Sequence, residues 1–181
     1  DTEMDVTMKA PLGLAKEYGC IISYDPNYRA PLWDSREKAI EGMRSVLSYV
    51  DVMKLSDEET ELLTGISEPE MAAKKLLENG ISIVAVTLGA DVALICTKEG
   101  CEHVKGYQVQ MVDTTGAGDS FWGGFLDQLL ESGKEPSEVS LKEAAAFAAY
   151  GNAVASLCVE KRGAIPAMPT KAEVEKRMKG L

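Results

Sequence analysis

Short apolar runs alternate with longer amphipathic runs along this chain, and no other feature of the sequence restricts the fold as much. Runs rich in β-branched residues predict four strands, at 20–25, 49–55, 82–89 and 92–97. Amphipathic or Ala-rich segments predict helices at 35–49, 68–80, 120–130, 141–158 and after Thr170. Strands that alternate with helices predict an α/β fold, with a mostly parallel sheet and helices on both of its faces.

Two helix starts and one strand carry more specific signals. Ser140 with Glu143 and Thr170 with Glu173 fit the capping box, in which a hydroxyl and a carboxylate satisfy the first backbone N–H groups of a helix. The segment 101–112 alternates apolar and polar residues, which predicts an antiparallel or edge strand rather than a buried parallel one.

The charge and the apolar runs exclude several classes of partner. The chain has 181 residues, and 29 Asp and Glu against 19 Lys and Arg give it a net charge of −10. Nucleic-acid-binding surfaces usually have the opposite balance, so we expect no nucleic-acid partner. No apolar run approaches the roughly 18 residues of a membrane span, so we expect no membrane partner. The chain opens with DTEMD, without a signal peptide or an initiating Met, and we expect it to be a fragment.

The cysteines indicate a compartment rather than a metal site. The chain has no C-x-x-C pair, and its single histidine, His103, has no partner at a spacing typical of zinc ligands. We therefore expect four free thiols in a reducing cytosol, and a cytoplasmic protein. The four residues are Cys20, Cys96, Cys101 and Cys158. We expect His103 on the surface of a strand, and Trp33 and Trp122 in the core.

The stretch DTTGAGD (113–119) connects an extended run to a predicted helix that begins at Ser120. Gly116 and Gly118 allow a tight bend and a close approach of the backbone to a ligand. The first N–H groups of a helix have no internal partner, so together with the helix dipole they predict an anion site. The stretch is not a Walker A loop, because no Gly-Lys-Ser/Thr follows. It is not the dinucleotide motif G-x-G-x-x-G either, because Phe121 stands where the third glycine belongs.

Asp119 has two interpretations at this position. A carboxylate at the mouth of an anion site could take the proton from a hydroxyl that attacks phosphorus, while the N–H groups stabilise the charge of the transferring group. Alternatively, Asp119 is the helix N-cap, and Gly123 and Gly124 provide a close-packing surface. The spacing alone leaves both interpretations open.

At this point the residues resemble a known family. DTTGAGDSFWGGFL resembles the signature of the ribokinase/PfkB-like carbohydrate kinases, and SYDPNYRAPLW (23–33) is similar to a segment of their fructokinase-like branch. KLSDEETELLTG (54–65), VTLGADVALI (86–95) and KRGAIPAMP (161–169) follow in the family's order. The resemblance implies a ribokinase-like, Rossmann-like fold. It also implies that residues 1–181 are the C-terminal, nucleotide-binding portion of a single kinase domain whose N-terminal substrate and lid portion is absent.

The resemblance assigns the catalytic and cation-binding roles. It implies that Asp119 is the catalytic base and that the anion hole is formed by Gly116, Ala117 and Gly118. It further implies a monovalent cation, usually potassium, bound by the Asp113 side chain and by backbone carbonyls of Thr115, Cys158, Lys161 and Gly163. Relatives often have Ser where this chain has Ala167, which departs from the family's pattern for this site.

The resemblance also implies ATP and Mg²⁺ as cofactors. Ser56 and Glu59 match an N-x-x-E element, with Ser in place of Asn, in which the Glu orders water around the magnesium–phosphate group. The same residues fit a capping box that opens a short helix. The other implied nucleotide contacts are Lys54, Thr87, Gly89 and Asn152. Asn152 has an alternative interpretation as a helix-packing residue whose amide is satisfied.

Asn27 and Arg29 follow a predicted strand end, where ligands of open α/β sheets gather, and are candidates to contact a substrate hydroxyl or a phosphate. The predicted activity is ATP-dependent phosphorylation of a sugar hydroxyl, with fructose favoured and 2-keto-3-deoxygluconate as an alternative acceptor. From another class, a non-catalytic protein that binds sugar or nucleotide is the alternative, although the intact GAGD argues against it. We expect the fragment alone to be inactive, and a homodimer is one expectation for the intact protein.

Overall fold

The computed structural model describes residues 3–89 and 92–180, so residues 90 and 91 of VTLGADVALI lie outside the described residues. The strands are β1 Ser23–Tyr24, β2 Val52–Ser56, β3 Ile83–Thr87, β4 Val92–Thr97 and β5 Gly100–Lys105. The helices are α1 Glu3–Glu17, α2 Arg36–Ser45, α3 Asp57–Thr64, α4 Pro69–Leu77, α5 Ala117–Ser132, α6 Leu141–Val159 and α7 Lys171–Met178.

The described strands form one mixed sheet in the order β1-β2-β3-β4-β5. β1, β2 and β3 are parallel, and β4 and β5 each pair antiparallel with the strand before them. The sheet is therefore less parallel than predicted. The physical reason is connection length: the few residues between β3 and β4, and between β4 and β5, are too few for the crossover that parallel neighbours need. The antiparallel edge pairing predicted for 101–112 is confirmed for β5.

Helices cover both faces of the sheet, as predicted. α2, α3 and α4 pack on one face, where Met53 and Leu55 of β2 join their apolar cluster. α5 and α6 pack on the other face, where Val52 of β2 contributes to a second cluster with Phe125 and Ala148. Side chains alternate between the two faces along a strand, so Lys54, two residues after Val52, lies on the same face as Val52, the one that α5 covers.

Local chemistry fixes most of the helix starts. The predicted capping boxes at Ser56, Ser140 and Thr170 are all present. α5 begins at Ala117, three residues earlier than predicted, because Gly116 takes a left-handed conformation and its carbonyl accepts a hydrogen bond from Ser120 N–H (2.8 Å). α1 was not predicted.

β1 is shorter than the predicted run 20–25. The carbonyl of Ile22 accepts from both Asp51 and Val52, and Pro26, which has no N–H, follows two residues after the strand. Among the described residues, β1 pairs only with β2, so it forms one edge of the sheet. Tyr18 and Leu32 are largely exposed nearby in the sequence.

Two cysteines contradict the expectation of four free thiols. Cys96 of β4 lies opposite Cys101 of β5, and the two are joined by a disulfide with their Cα atoms 4.1 Å apart. Cys20 and Cys158 are free. The prediction was wrong because it searched for short metal-type spacings, whereas a tight hairpin brings residues five apart directly opposite each other.

The aromatic and histidine expectations are confirmed. Trp122 is buried, stacks on Phe125 and donates from its indole N–H to Ser23 Oγ (2.8 Å). Trp33 is half-buried against the α2–α4 side of the sheet. His103 is exposed on β5. None of the helices in the described residues has the length and apolar character needed to cross a membrane.

Candidate active site

The backbone of DTTGAGD, which we call the glycine loop (113–119), bends at Gly116. Its φ is +78°, and a Cβ at this position would lie 2.6 Å from the Cβ of Ala164, so only glycine fits without displacement. Ala117 N–H is used inside the loop, where it donates to Thr114 O (3.1 Å). The N–H groups of Gly116, Gly118 and Asp119 have no acceptor among the described residues. Three free donors at a helix start can receive an anion.

Asp119 is the third residue of α5, and its side chain is exposed beside these free N–H groups. The N-cap of α5 is Gly116, so the alternative interpretation of Asp119 as the N-cap is wrong. An acidic residue in the first turn interacts favourably with the helix dipole. Its side chain makes no hydrogen bond to any other described residue, so its carboxylate has no structural partner to compete with a ligand.

Asp113 ties the glycine loop to the turn after α6. One carboxylate oxygen accepts from the backbone N–H (2.9 Å) and the hydroxyl (2.7 Å) of Thr115, and the other accepts from Gly163 N–H (2.9 Å). These hydrogen bonds, with that from Gly163 the largest contribution, lower the pKa of Asp113 to about 2. The carboxylate therefore stays ionised at neutral pH.

The structure thus brings together Asp113, Thr115 and Gly163 from the predicted cation site. The other two members, Cys158 and Lys161, contact each other at the end of α6, where Lys161 N–H donates to the Cys158 carbonyl (3.2 Å). Asp113 N–H donates to the carbonyl of Val159, which follows Cys158 (3.1 Å). Within residues 3–89 and 92–180, no group of three or more His, Cys, Asp or Glu side chains is placed to hold a metal ion. The predicted site does not depend on such a group, because it consists of one carboxylate and backbone carbonyls.

A cleft of about 860 Å³ opens beside the glycine loop, between the ends of β2 and β3, the start of α5 and the middle of α6. This volume is within the range of small-molecule and cofactor sites. Several predicted residues line it: Ser56, Thr87, Gly89, Ala117, Gly118 and Asn152. Four further residues line it that were not predicted, because the segment after β5 carries no motif: Tyr107, Gln108, Val109 and Met111.

Asn152 lines this cleft from α6, but both hydrogens of its amide nitrogen have partners. Nδ2 donates to the carbonyls of Val104 and Lys105 at the end of β5, each at 3.2 Å. This geometry supports the interpretation of Asn152 as a packing residue with a satisfied amide. A contact with the adenine stays a prediction.

Glu59 is buried, with 6% of its surface exposed, and it binds two backbone segments at once. One carboxylate oxygen accepts from Ser56 N–H (2.8 Å), which completes the capping box of α3. The other accepts from Tyr28 N–H (2.6 Å), 31 residues away in the sequence. Glu59 therefore fixes the position of DPNYR (25–29), which we call the DPNYR loop.

The DPNYR loop places Asn27 and Arg29 on the surface, and neither lines the cleft. Asn27 has a φ of +43°, and its N–H donates to the Asp25 carboxylate (3.1 Å), which forms a tight turn. The structure keeps both residues apart from the predicted contacts that line the cleft, although their loop is bound by Lys54 and Glu59. Their role toward a substrate stays a prediction.

Lys54 connects the two loops. Its side chain is 9% exposed, and its ammonium donates to Asp25 Oδ2 (3.0 Å). A Cβ at Gly118 would lie 3.0 Å from Lys54 Nζ, so the ammonium lies directly against the start of α5. Burial raises the pKa of Asp25, and the hydrogen bond from Lys54 opposes this effect. Asp25 was not singled out from the sequence, although it belongs to a motif that was.

A cleft at the strand ends of an α/β sheet, with a glycine loop and free helix N–H groups at its mouth, is typical of phosphate-binding α/β proteins. Residues 6–171 match the pfkB family carbohydrate kinases. The chain belongs to this family. It is 44% identical over 172 residues to probable fructokinase-5 of Arabidopsis thaliana, and the match covers 94% of this chain and 52% of the relative. The chain thus spans about half the length of the curated relatives it matches.

Solved structures show the same fold. A fructokinase double mutant from Vibrio cholerae O395, with fructose, ADP and potassium bound, is 31% identical with a TM-score of 0.83, covering 94% of this chain and 54% of that one. A ribokinase II from E. coli, described as putative and solved with ATP and Mg²⁺, is 29% identical with a TM-score of 0.81, covering 96% and 53%. The predicted ribokinase-like α/β fold is therefore confirmed.

Proposed function

We propose that this chain is the nucleotide-binding and catalytic portion of an ATP-dependent sugar kinase, with fructose as the acceptor. The observation that carries the proposal is Asp119, exposed in the first turn of α5 beside free backbone N–H groups and a cleft of ligand size. Family membership and fructokinase relatives support the reaction class and the sugar. We further propose that residues 1–181 are the C-terminal portion of one kinase domain, because the relatives are about twice as long.

The reaction follows from the charges at the start of α5. The sugar hydroxyl oxygen forms a bond to the γ-phosphorus as the bond from that phosphorus to the β,γ-bridging oxygen breaks, and ADP leaves with the electron pair. Asp119 accepts the hydroxyl proton as the oxygen attacks. The free N–H groups of Gly118 and Asp119 stabilise the negative charge on the transferring group. This stabilisation is strongest when the site excludes water.

The residues fit both of the implied metal ions. Asp113 stays ionised, and together with neighbouring carbonyl oxygens it offers the hard oxygen donors that a potassium ion binds. Such an ion would add positive charge beside the glycine loop. Magnesium usually arrives with the nucleotide and keeps several waters. Glu59 accepts two N–H bonds out of about four lone-pair positions, so it retains acceptors for a water of that ion.

The test is a coupled ADP-release assay on the full-length protein with fructose, ribose and 2-keto-3-deoxygluconate as acceptors. We expect turnover on fructose, and we expect Asp119→Asn to lower kcat by about 10²- to 10⁴-fold, because the proton acceptor is lost. Asp127→Asn is the matched control, since Asp127 is also on α5, two turns further on, and we expect it to retain kcat within twofold. Faster turnover on 2-keto-3-deoxygluconate would change the assigned sugar.

Failure on all three acceptors would overturn the kinase proposal and favour a non-catalytic binding protein. We also expect residues 1–181 alone to release no ADP at a rate normal for kinases, and such turnover would contradict this. A homodimer of the intact protein stays a prediction. A cytoplasmic location also stays a prediction, and only two of the four expected free thiols remain to support it, because Cys96 and Cys101 form a disulfide.

A further inference from the structure

The buried ion pair between Lys54 and Asp25 connects the DPNYR loop, through β2, to the glycine loop. Lys54 lies in a strand where Val52, Met53 and Leu55 are apolar and fully buried. A buried ammonium is costly unless a carboxylate faces it, and Asp25 is that carboxylate, at 3.0 Å. Asp25 is itself mostly buried, with 17% of its side chain exposed.

The ammonium retains hydrogen-bond donors that the protein does not use. Lys54 Nζ has three N–H bonds, and Asp25 is its only acceptor among the described residues. The same atom lies 3.0 Å from where a Cβ at position 118 would be, next to the free N–H groups of Gly118 and Asp119. A cation held at the positive end of a helix is unfavourable by itself. Asp25 offsets this, and an anionic phosphate at the helix start would offset it further.

We propose that Asp25 is a positioning residue for phosphoryl transfer, which acts through Lys54. It holds the Lys54 ammonium at the start of α5, where the remaining N–H bonds of the ammonium donate to a nucleotide phosphate. This inference rests on the proposed kinase function. Asp25 also accepts the N–H of Asn27, so the position of the ammonium is linked to that of the DPNYR loop. A Cβ at position 118 would crowd the ammonium at 3.0 Å, so glycine there leaves Lys54 its position.

The experiment compares Asp25→Asn, Lys54→Met and the double variant in the full-length protein. We expect Lys54→Met to lower kcat about 100-fold, the size of effect seen when one donor to a transition state is removed. We expect Asp25→Asn to lower kcat about tenfold, with the KM for the sugar within twofold of the wild type. The double variant should equal Lys54→Met, because a residue that acts only through another adds nothing once that other is removed.

Asp51→Asn is the matched control. Asp51 also pairs with a lysine, Lys16, and also accepts a backbone N–H, that of Ile22. It does not line the cleft, so we expect a comparable loss of thermal stability with kcat within twofold. An Asp25→Asn variant that behaves like this control overturns the inference. If Asp25→Asn fails to fold, the double variant decides the matter, since it carries neither charge, and a kcat tenfold below that of Lys54→Met overturns the inference.

A binding measurement separates this inference from the proposed function. Calorimetry with the imido analogue of ATP and with AMP should show that Asp25→Asn and Lys54→Met lower the affinity for the triphosphate about tenfold and leave the affinity for AMP unchanged. If the wild type phosphorylates no sugar but shows this pattern, the kinase proposal fails together with the role in phosphoryl transfer, and only the placement of the ammonium at a nucleotide phosphate is supported. If the wild type phosphorylates a sugar, and Asp25→Asn changes neither the triphosphate affinity nor kcat, only the positioning role fails.

Discussion

The glycine loop and the DPNYR loop both lie beside strand ends of the sheet, but they differ in how much of their support is local. The bend of the glycine loop is made locally, because Asp113 binds Thr115 two residues on and Gly116 supplies the left-handed turn. The hydrogen bond from Gly163 to Asp113 and the close packing of Gly116 on Ala164 then attach the loop to the turn after α6. The DPNYR loop is fixed by two charged residues that lie far away in the sequence. Lys54 holds Asp25 across 29 residues, and Glu59 holds Tyr28 across 31.

This difference explains which part of the site can be recognised by its spacing. A loop held by local contacts keeps its geometry wherever its sequence is found, so a short motif identifies it. A loop held by distant charges depends on β2 and α3 being in place, so its motif describes only half of the contact. Substitutions in the two loops should therefore differ in how far their effects reach along the chain.

The largest effect on stability is expected from Gly116→Ala. The new Cβ would meet Ala164 at 2.6 Å, and the residue would keep a φ of +78°, so we expect a loss of about 3 kcal/mol in the free energy of unfolding. The measurement is urea unfolding of the protein. Gly133→Ala at the other end of α5 is the control, because Gly133 has a similar φ, +65°, with open space around it. We expect a loss of about 1 kcal/mol there.

Equal losses at the two ends of α5 would contradict the close packing of Gly116 on Ala164. The glycine loop would then be held in place by the left-handed conformation of Gly116 alone, without a contribution from the turn after α6.

A smaller effect is expected from Glu59→Gln, which weakens two charge-assisted hydrogen bonds in a buried position. We expect it to destabilise the protein by about 2 kcal/mol, against about 1 kcal/mol or less for Glu173→Gln. Both residues complete capping boxes, but Glu173 is exposed and binds only its own helix start, together with a weak contact to Lys161 at 3.5 Å. Thermal or urea unfolding measures the difference.

Hydrogen exchange at Tyr28 locates that difference. Its N–H should exchange faster in Glu59→Gln and remain unchanged in Glu173→Gln. Unchanged exchange at Tyr28 in both variants would show that the DPNYR loop is held by something other than Glu59.

The smallest effect is a difference in pH dependence between the two loops. The folded pKa of Asp113 is about 2, below its ordinary value of 3.8, so its contribution to stability is complete above that value and is lost as the pH falls toward 2. The folded pKa of Asp25 is raised by burial, so the sign is reversed. Its contribution declines as the pH rises from 3.8 through the raised pKa.

Carboxyl ¹³C titration in a buffer without metal ions measures both groups in one experiment. We expect a midpoint of about 2 for Asp113 and one above 3.8 for Asp25. Midpoints that coincide would mean that the two carboxylates share one kind of environment, and the contrast between the loops would not hold.

The elements that could be predicted are those with local causes. β4 was predicted with its observed limits, and the three capping boxes are present because a hydroxyl and a carboxylate three residues apart need no distant partner. β1 was predicted too long, since its length depends on what β2 offers it. The Cys96–Cys101 disulfide was missed because it results from the register of a hairpin and not from a spacing motif.

The sequence by itself determined the α/β class, the glycine loop at the start of a helix and the family, since each follows from local periodicity or from residues that are contiguous in the chain. Only the tertiary structure decided that Asp119 is not an N-cap, that both amide hydrogens of Asn152 are bonded to β5, and that Asp25, Lys54 and Gly118 meet at one point. The physical reason is that a hydrogen bond or an ion pair depends on distance in space. Only the folded sheet brings β1, β2 and α5 within that distance.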